Sequence, residues 1–124
     1  MPERLYLNDG ALGRKPKSEK FIQHSSEVIS GVTHGDWCPY GYDAEMPSDQ
    51  RDEDGRSLVF ELPSLSRQTE ILWAPLHRLD LSCNHENALL TLRMCDAATY
   101  GASTRATYGG LHLHPRNRPQ TPKQ

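Results

Sequence analysis

Ala88-Leu89-Leu90-Thr91-Leu92-Arg93-Met94 is the stretch on which the fold turns. Read with a period of two, it sends Leu90, Leu92 and Met94 to one side and Leu89, Thr91 and Arg93 to the other, as a half-buried strand does. A helix is the rival reading, because Leu, Ala, Met and Arg are good helix formers. The segment is short and both neighbours have strand character, so a strand is expected. Before it, Leu76-His77-Arg78-Leu79-Asp80-Leu81-Ser82 places His77, Leu79 and Leu81 on one face and Arg78 and Asp80 on the other. A polar turn over 83–87 joins the two segments. After it, residues 104–113 form a further apolar stretch, in which Tyr108 faces Leu111 only if Gly109-Gly110 makes a bulge or kink.

Two earlier apolar bursts complete the pattern. Residues 57–62 end at Pro63 and residues 69–73 end at Ala74-Pro75, where the missing amide hydrogen stops a ladder. Five short strands at roughly 10–12-residue spacing predict an all-β, antiparallel sandwich. The first half differs: Asn8-Asp9-Gly10, Gly13, Pro16, Gly31, Gly35, Pro39, Gly41 and Pro47 interrupt every candidate element. It reads as long loops around one or two short strands, followed by a charge-dense segment over 46–56 that Asp54-Gly55 closes as a turn. Residues 1–114 are therefore expected to form the β domain. Residues 115–124 contain no apolar side chain and are expected to be a disordered basic tail.

The 124 residues fit one domain or part of a larger one. Apolar residues make up 35%; counting the nine glycines in place of the five tyrosines raises the share to about 38%. That is below the roughly 45–50% of ordinary globular domains, so any core should be thin. With 14 basic and 16 acidic residues the net charge is −2, which implies no electrostatic pull towards nucleic acid or anionic lipid. No apolar run has the roughly 18 residues of a membrane span, and the start does not read as a signal peptide. Cys38, Cys83 and Cys95 are odd in number and form no CxxC pair, which fits reduced thiols in a cytoplasm better than a secreted disulfide framework. No cofactor is implied.

Serines, histidines and aspartates are abundant, but abundance without an elbow or an oxyanion site is a weak signal. A hydrolase nucleophile elbow needs Gly-x-Ser-x-Gly, and Gly101-Ala102-Ser103-Thr104-Arg105 lacks the second glycine. His112 and His114 fall on one face of a strand, a spacing two metal ligands can use, and Cys83, His85 and Cys95 are further donors. The plainer reading makes the two histidines the solvent side of an amphipathic strand, alternating with Leu111 and Leu113. Trp37, Tyr40 and Tyr42 crowd a turn-rich loop as a stacking or sugar-binding surface, or else as anchors of a loop over a sheet. Arg51, next to Asp49 and Gln50, has the fork to hold a ligand carboxylate, or to fix its own loop through an ion pair.

Several of these blocks also resemble a known family. Glu45-Met46-Pro47-Ser48-Asp49-Gln50-Arg51, Asp54-Gly55-Arg56-Ser57-Leu58-Val59-Phe60 and Thr69-Glu70-Ile71-Leu72 are similar, in order, to blocks of one domain type. So are Leu89-Leu90-Thr91-Leu92-Arg93-Met94-Cys95-Asp96 and Gly101-Ala102-Ser103-Thr104-Arg105-Ala106-Thr107-Tyr108-Gly109, with Leu5-Tyr6-Leu7 resembling its opening strand. That type is the C-terminal domain of X-Pro dipeptidyl-peptidases and cocaine-esterase-like acyl hydrolases, and the similarity runs over roughly residues 4–114.

The resemblance implies a jelly-roll, galactose-binding-like β-sandwich packed on an α/β-hydrolase domain. That partner domain would carry the serine, aspartate and histidine for acyl transfer to serine and then to water, on esters or on peptides with proline in second place. None of the catalytic positions has a counterpart here. The catalytic domain expected before Leu5 is missing, a proline-rich tail replaces later strands, and Trp73 stands where the family usually has glycine. An incomplete, inactive and marginally stable sandwich is therefore expected, a gene fragment or mis-started frame that associates through exposed sheet edges. The rival expectations are a self-standing carbohydrate- or ligand-binding sandwich built on Trp37, Tyr40 and Tyr42, and a small metal-binding protein built on His112 and His114.

Overall fold

The structure, a computed structural model, describes residues 3–18, 21–32, 35–36, 40–41, 43, 45–72 and 74–113. Its regular elements are β1 (Tyr6–Asn8), β2 (Ala11–Gly13), a single helical turn α1 (Arg51–Asp54), β3 (Ala88–Ala97) and β4 (Ser103–Leu113). The strands form two antiparallel pairs, β1 with β2 and β3 with β4. Among the described residues the regular structure is thus nearly all strand, with a single helical turn, and no helix is long and apolar enough to cross a membrane.

The β1–β2 hairpin turns on Asp9-Gly10, between the paired residues Asn8 and Ala11. Gly10 has φ +67°, a conformation that asparagine, aspartate and glycine adopt most readily in two-residue hairpin turns. Asn8 is buried and holds the following chain: its side-chain amide donates to the Lys15 carbonyl at 3.2 Å, and its oxygen accepts the Lys17 N–H at 2.9 Å.

The long ribbon β3–β4 confirms the strand reading of 88–94 over the helical one. The connection is short: Ala97 pairs with Ser103, the Ala98 N–H donates to the Ala102 carbonyl and the Gly101 N–H to the Ala98 carbonyl, both at 2.8 Å. Gly101 closes this three-residue loop at φ +95°. Leu90 opposite Leu111 and Met94 opposite Thr107 share one face, and Arg93 opposite Tyr108 shares the other.

Gly109 and Gly110 do not make the bulge that would set Tyr108 facing Leu111. Those glycines pair regularly with Leu92 and Thr91; the register shifts instead between Met94 and Cys95, where Met94 faces Thr107 and Cys95 faces Arg105. Ala106 is the extra residue. Past it the alternation changes phase, which brings Arg105 onto the face of Tyr108, with its guanidinium carbon 4.3 Å from the ring centre. Tyr108 and Leu111, three apart in regular strand, lie on opposite faces.

Three expected strands are also corrected. Residues 57–62 contribute one bridge, in which Glu61 lies parallel to Ala11: the Leu12 N–H donates to the Glu61 carbonyl at 2.8 Å. Residues 69–72 and 76–82 make no ladder. Alternation shows what a segment can bury once paired, but supplies no partner. β3 and β4 close over a three-residue loop, whereas residues 57–62 and 69–72 have no such local partner and face a larger loop-closure cost.

Among the described residues the apolar face of the ribbon is only half covered, with Leu90, Leu92 and Met94 of intermediate exposure. Among the described residues no apolar side chain is buried, and Leu89 is 70% and Leu111 50% exposed. The expected thin core does not close, and the described strands do not form two covering sheets. The tail expected at 115–124 lies outside the described residues.

Replacing Gly101 by alanine puts a Cβ into the left-handed region and should weaken the ribbon by about 1–2 kcal/mol. Faster amide exchange throughout β3 and β4, with the β1–β2 hairpin unchanged, is the expected reading.

Candidate functional site

The interior of this chain is polar. Gln50 is fully buried, Glu53 2% exposed and Ser103 5% exposed, and all three belong to one junction between the segment 48–57 and the polar face of the ribbon. The strand alternation that sends Leu90, Leu92 and Met94 to one side points Arg93 to the other, beneath α1. There its guanidinium donates to three acceptors: Gln50 Oε1 at 2.8 Å, Asp54 Oδ1 at 3.1 Å and Ser57 Oγ at 3.1 Å. The Arg93 side chain is only 15% exposed, so the ion pair with Asp54 is largely shielded from water.

Each acceptor is itself held. The Gln50 side-chain amide donates to the Ser48 carbonyl at 2.7 Å and its backbone N–H to the Ser103 carbonyl at 2.9 Å. The Ser57 hydroxyl donates to the Glu53 carbonyl at 2.7 Å. Glu53 reaches across to the first half of the chain, where Oε2 accepts the Gly31 N–H at 2.7 Å. Asp49 completes the junction: Oδ1 accepts the backbone N–H of Ser103 and of Arg51, both at 3.1 Å. Among the described residues no buried side-chain polar atom lacks a partner.

Among the described residues two groups are shifted from their ordinary values. The Ser103 N–H holds the Asp49 carboxyl below its usual value, and Arg51 adds to this against a smaller desolvation effect. Burial pushes the Cys95 thiol up; a hydrogen bond with Ser103 opposes this and the Asp54 carboxylate adds to it. Cys95 is therefore a protonated, half-buried thiol at neutral pH, while Cys83 is an exposed one.

Arg51, a candidate ligand contact, makes the loop-fixing ion pair with Asp49, Nη2 to Oδ2 at 2.8 Å, with its side chain 61% exposed. Tyr40 is exposed on a loop whose base is tied by two bonds, Asp36 N–H to the Glu45 carbonyl at 3.0 Å and Glu45 N–H to Asp36 Oδ2 at 2.9 Å. Trp37 and Tyr42 lie outside the described residues. His112 is exposed opposite Leu89, and His114 lies outside the described residues. Among the described residues no three His, Cys, Asp or Glu side chains gather as a metal site. Gln50, Glu53 and Arg93 were not singled out as site residues from the sequence. The one available signal was that Arg93 stands opposite the leucine face.

Two hollows flank this framework. One, of about 190 Å³, lies between residues 47–49 and 102–105, above the Asp49–Ser103 bond. The other, about 460 Å³ and wider, lies between the β1–β2 hairpin and residues 61–63, with Lys17 and Glu61 on its wall. Comparison with protein-family models, with curated proteins and with solved structures finds no match.

Arg93→Ala strands Gln50 and Asp54 and should cost about 3 kcal/mol. Lost exchange protection at the Gln50 and Ser103 amides is the reading, with Arg93→Lys recovering only part. The Asp49 contribution is present above the ordinary carboxylate pKa and lost as pH falls through its lowered folded value. Asp49→Asn should flatten the acid limb of Ser103 amide protection. In a Cys38→Ser background, a disulfide reagent at neutral pH should modify Cys83 at least about tenfold faster than Cys95.

Proposed function

We propose that the chain serves as the non-catalytic β-sandwich module of a serine acyl hydrolase, of the kind that X-Pro dipeptidyl-peptidases and cocaine-esterase-like enzymes carry. The observation that supports this is where the resembling blocks meet. Asp49, Gln50 and Arg51 come from one block, Asp54 and Ser57 from a second, Arg93 and Cys95 from a third, Ser103 and Arg105 from a fourth. These blocks are separated by up to tens of residues, and the contacts that join them converge on Arg93 and Ser103. A shared sequence pattern that encodes one mutually dependent junction is what a common domain type requires.

The open apolar side of β3–β4 supports the same reading. Leu90, Leu92 and Met94 present a half-covered face that a second sheet of a jelly roll, or an adjoining α/β-hydrolase body, would cover. In that arrangement the reacting serine, aspartate and histidine belong to the adjoining domain, and this module walls the active-site region. Its polar junction provides rigidity rather than chemistry, and its reduced thiols suit a cytoplasmic setting. Whether the substrate is an ester, an amide or an X-Pro peptide is then decided outside this chain.

The test has two arms. The purified chain should neither hydrolyse p-nitrophenyl esters or X-Pro p-nitroanilides nor take a fluorophosphonate label; stoichiometric labelling of one serine overturns the reading. DNA upstream of the coding sequence should encode Gly-x-Ser-x-Gly, and an unrelated gene there counts equally against it.

A further inference from the structure

We infer that residues 76–83 are a strap that closes onto the open edge of β3 as a third strand, in one register set by the turn at 84–87. Among the described residues β3 pairs only with β4, so its other edge presents a row of backbone donors and acceptors. The segment immediately before it has strand alternation, is mostly exposed and makes no ladder. Residues 84–87 bend the chain directly in front of Ala88, where β3 begins. Four-residue loops are among the common links between antiparallel neighbours.

The four-residue loop sets a register that uses both patterns. With residues 84–87 as the loop, Cys83 falls opposite Ala88, Leu81 opposite Leu90, Leu79 opposite Leu92 and His77 opposite Met94. Both leucines of the strap then extend the apolar face of the ribbon. On the polar face Asp80 falls opposite Thr91 and diagonal to Arg93. Arg78 falls opposite Arg93, whose charge Asp54 already holds at 3.1 Å. Lengthening the loop by one residue reverses this and sets Asp80 and Arg78 against Leu90 and Leu92. A one-residue slip flips every side chain, so the leucines exclude it. Pro75 ends the strap where it has no N–H to give.

Closure would turn a two-stranded ribbon, marginal by itself, into a three-stranded sheet with one apolar face. The strap's own leucines are the occupant of the β3 edge, and the connection is only four residues long.

Paired cysteines read the register directly, in the full chain carrying Cys38→Ser, Cys83→Ser and Cys95→Ser. Leu79→Cys with Leu92→Cys, and Asp80→Cys with Thr91→Cys, are in register on opposite faces of the sheet; Asp80→Cys with Leu92→Cys is out of register. In a glutathione buffer the in-register pairs should form their intramolecular disulfides at least about tenfold faster than the control, because only they present both sulfurs on one face. The 80/91 pair removes no apolar side chain, so it keeps the test valid if loss of Leu79 and Leu92 prevents folding. If neither in-register pair outpaces the 80/92 control, the strap does not close in this register and the inference fails.

Discussion

The guanidinium of Arg93 is the one group on which the larger body depends. It leaves the polar face of β3 and satisfies an amide, a carboxylate and a hydroxyl that lie 36 to 43 residues earlier in the chain. A planar, permanently charged fork suits three fixed acceptors, where an ammonium on a flexible stem does not. Around it the order is hierarchical. α1 is a single turn, far too short to persist alone, and it exists because Gln50 is anchored to Ser103 and Asp54 to Arg93. Glu53 extends the same order through its carboxylate to Gly31, in the irregular first half.

This inverts the usual division of labour in a small domain. Apolar burial ordinarily supplies the driving force and polar bonds supply uniqueness. Here the described apolar side chains stay partly or wholly in water, and the buried side chains are Asn8, Gln50, Glu53 and Ser103. Each intramolecular hydrogen bond contributes only about 1 kcal/mol net, so such a junction specifies a geometry more than it stabilises one.

The ribbon was legible in the sequence because its information is local: Leu90, Leu92 and Met94 alternate with Leu89, Thr91 and Arg93, and their partner follows within a few residues. The bulge was not, since glycine marks where a strand is able to deform and Ala106 is where the register forces it to. The strands expected over 57–62, 69–73 and 76–82 were read from alternation and proline punctuation, signals that carry no information about a partner. In the site, Arg51 attracted notice as a charged group in a loop, while its neighbour Gln50 holds the buried position. An amide carries no sequence signal until the arginine it meets, 43 residues later, is known.

The scarcity of buried hydrocarbon also has a calorimetric consequence. The heat-capacity increment of unfolding scales with apolar surface newly exposed to water, and polar exposure subtracts from it. A chain that already leaves its leucines wet and buries amides, carboxylates and hydroxyls has little of the first and much of the second. Its stability curve against temperature should therefore be shallow, with weak curvature and a low denaturant slope, unlike the steep dome of an ordinary domain.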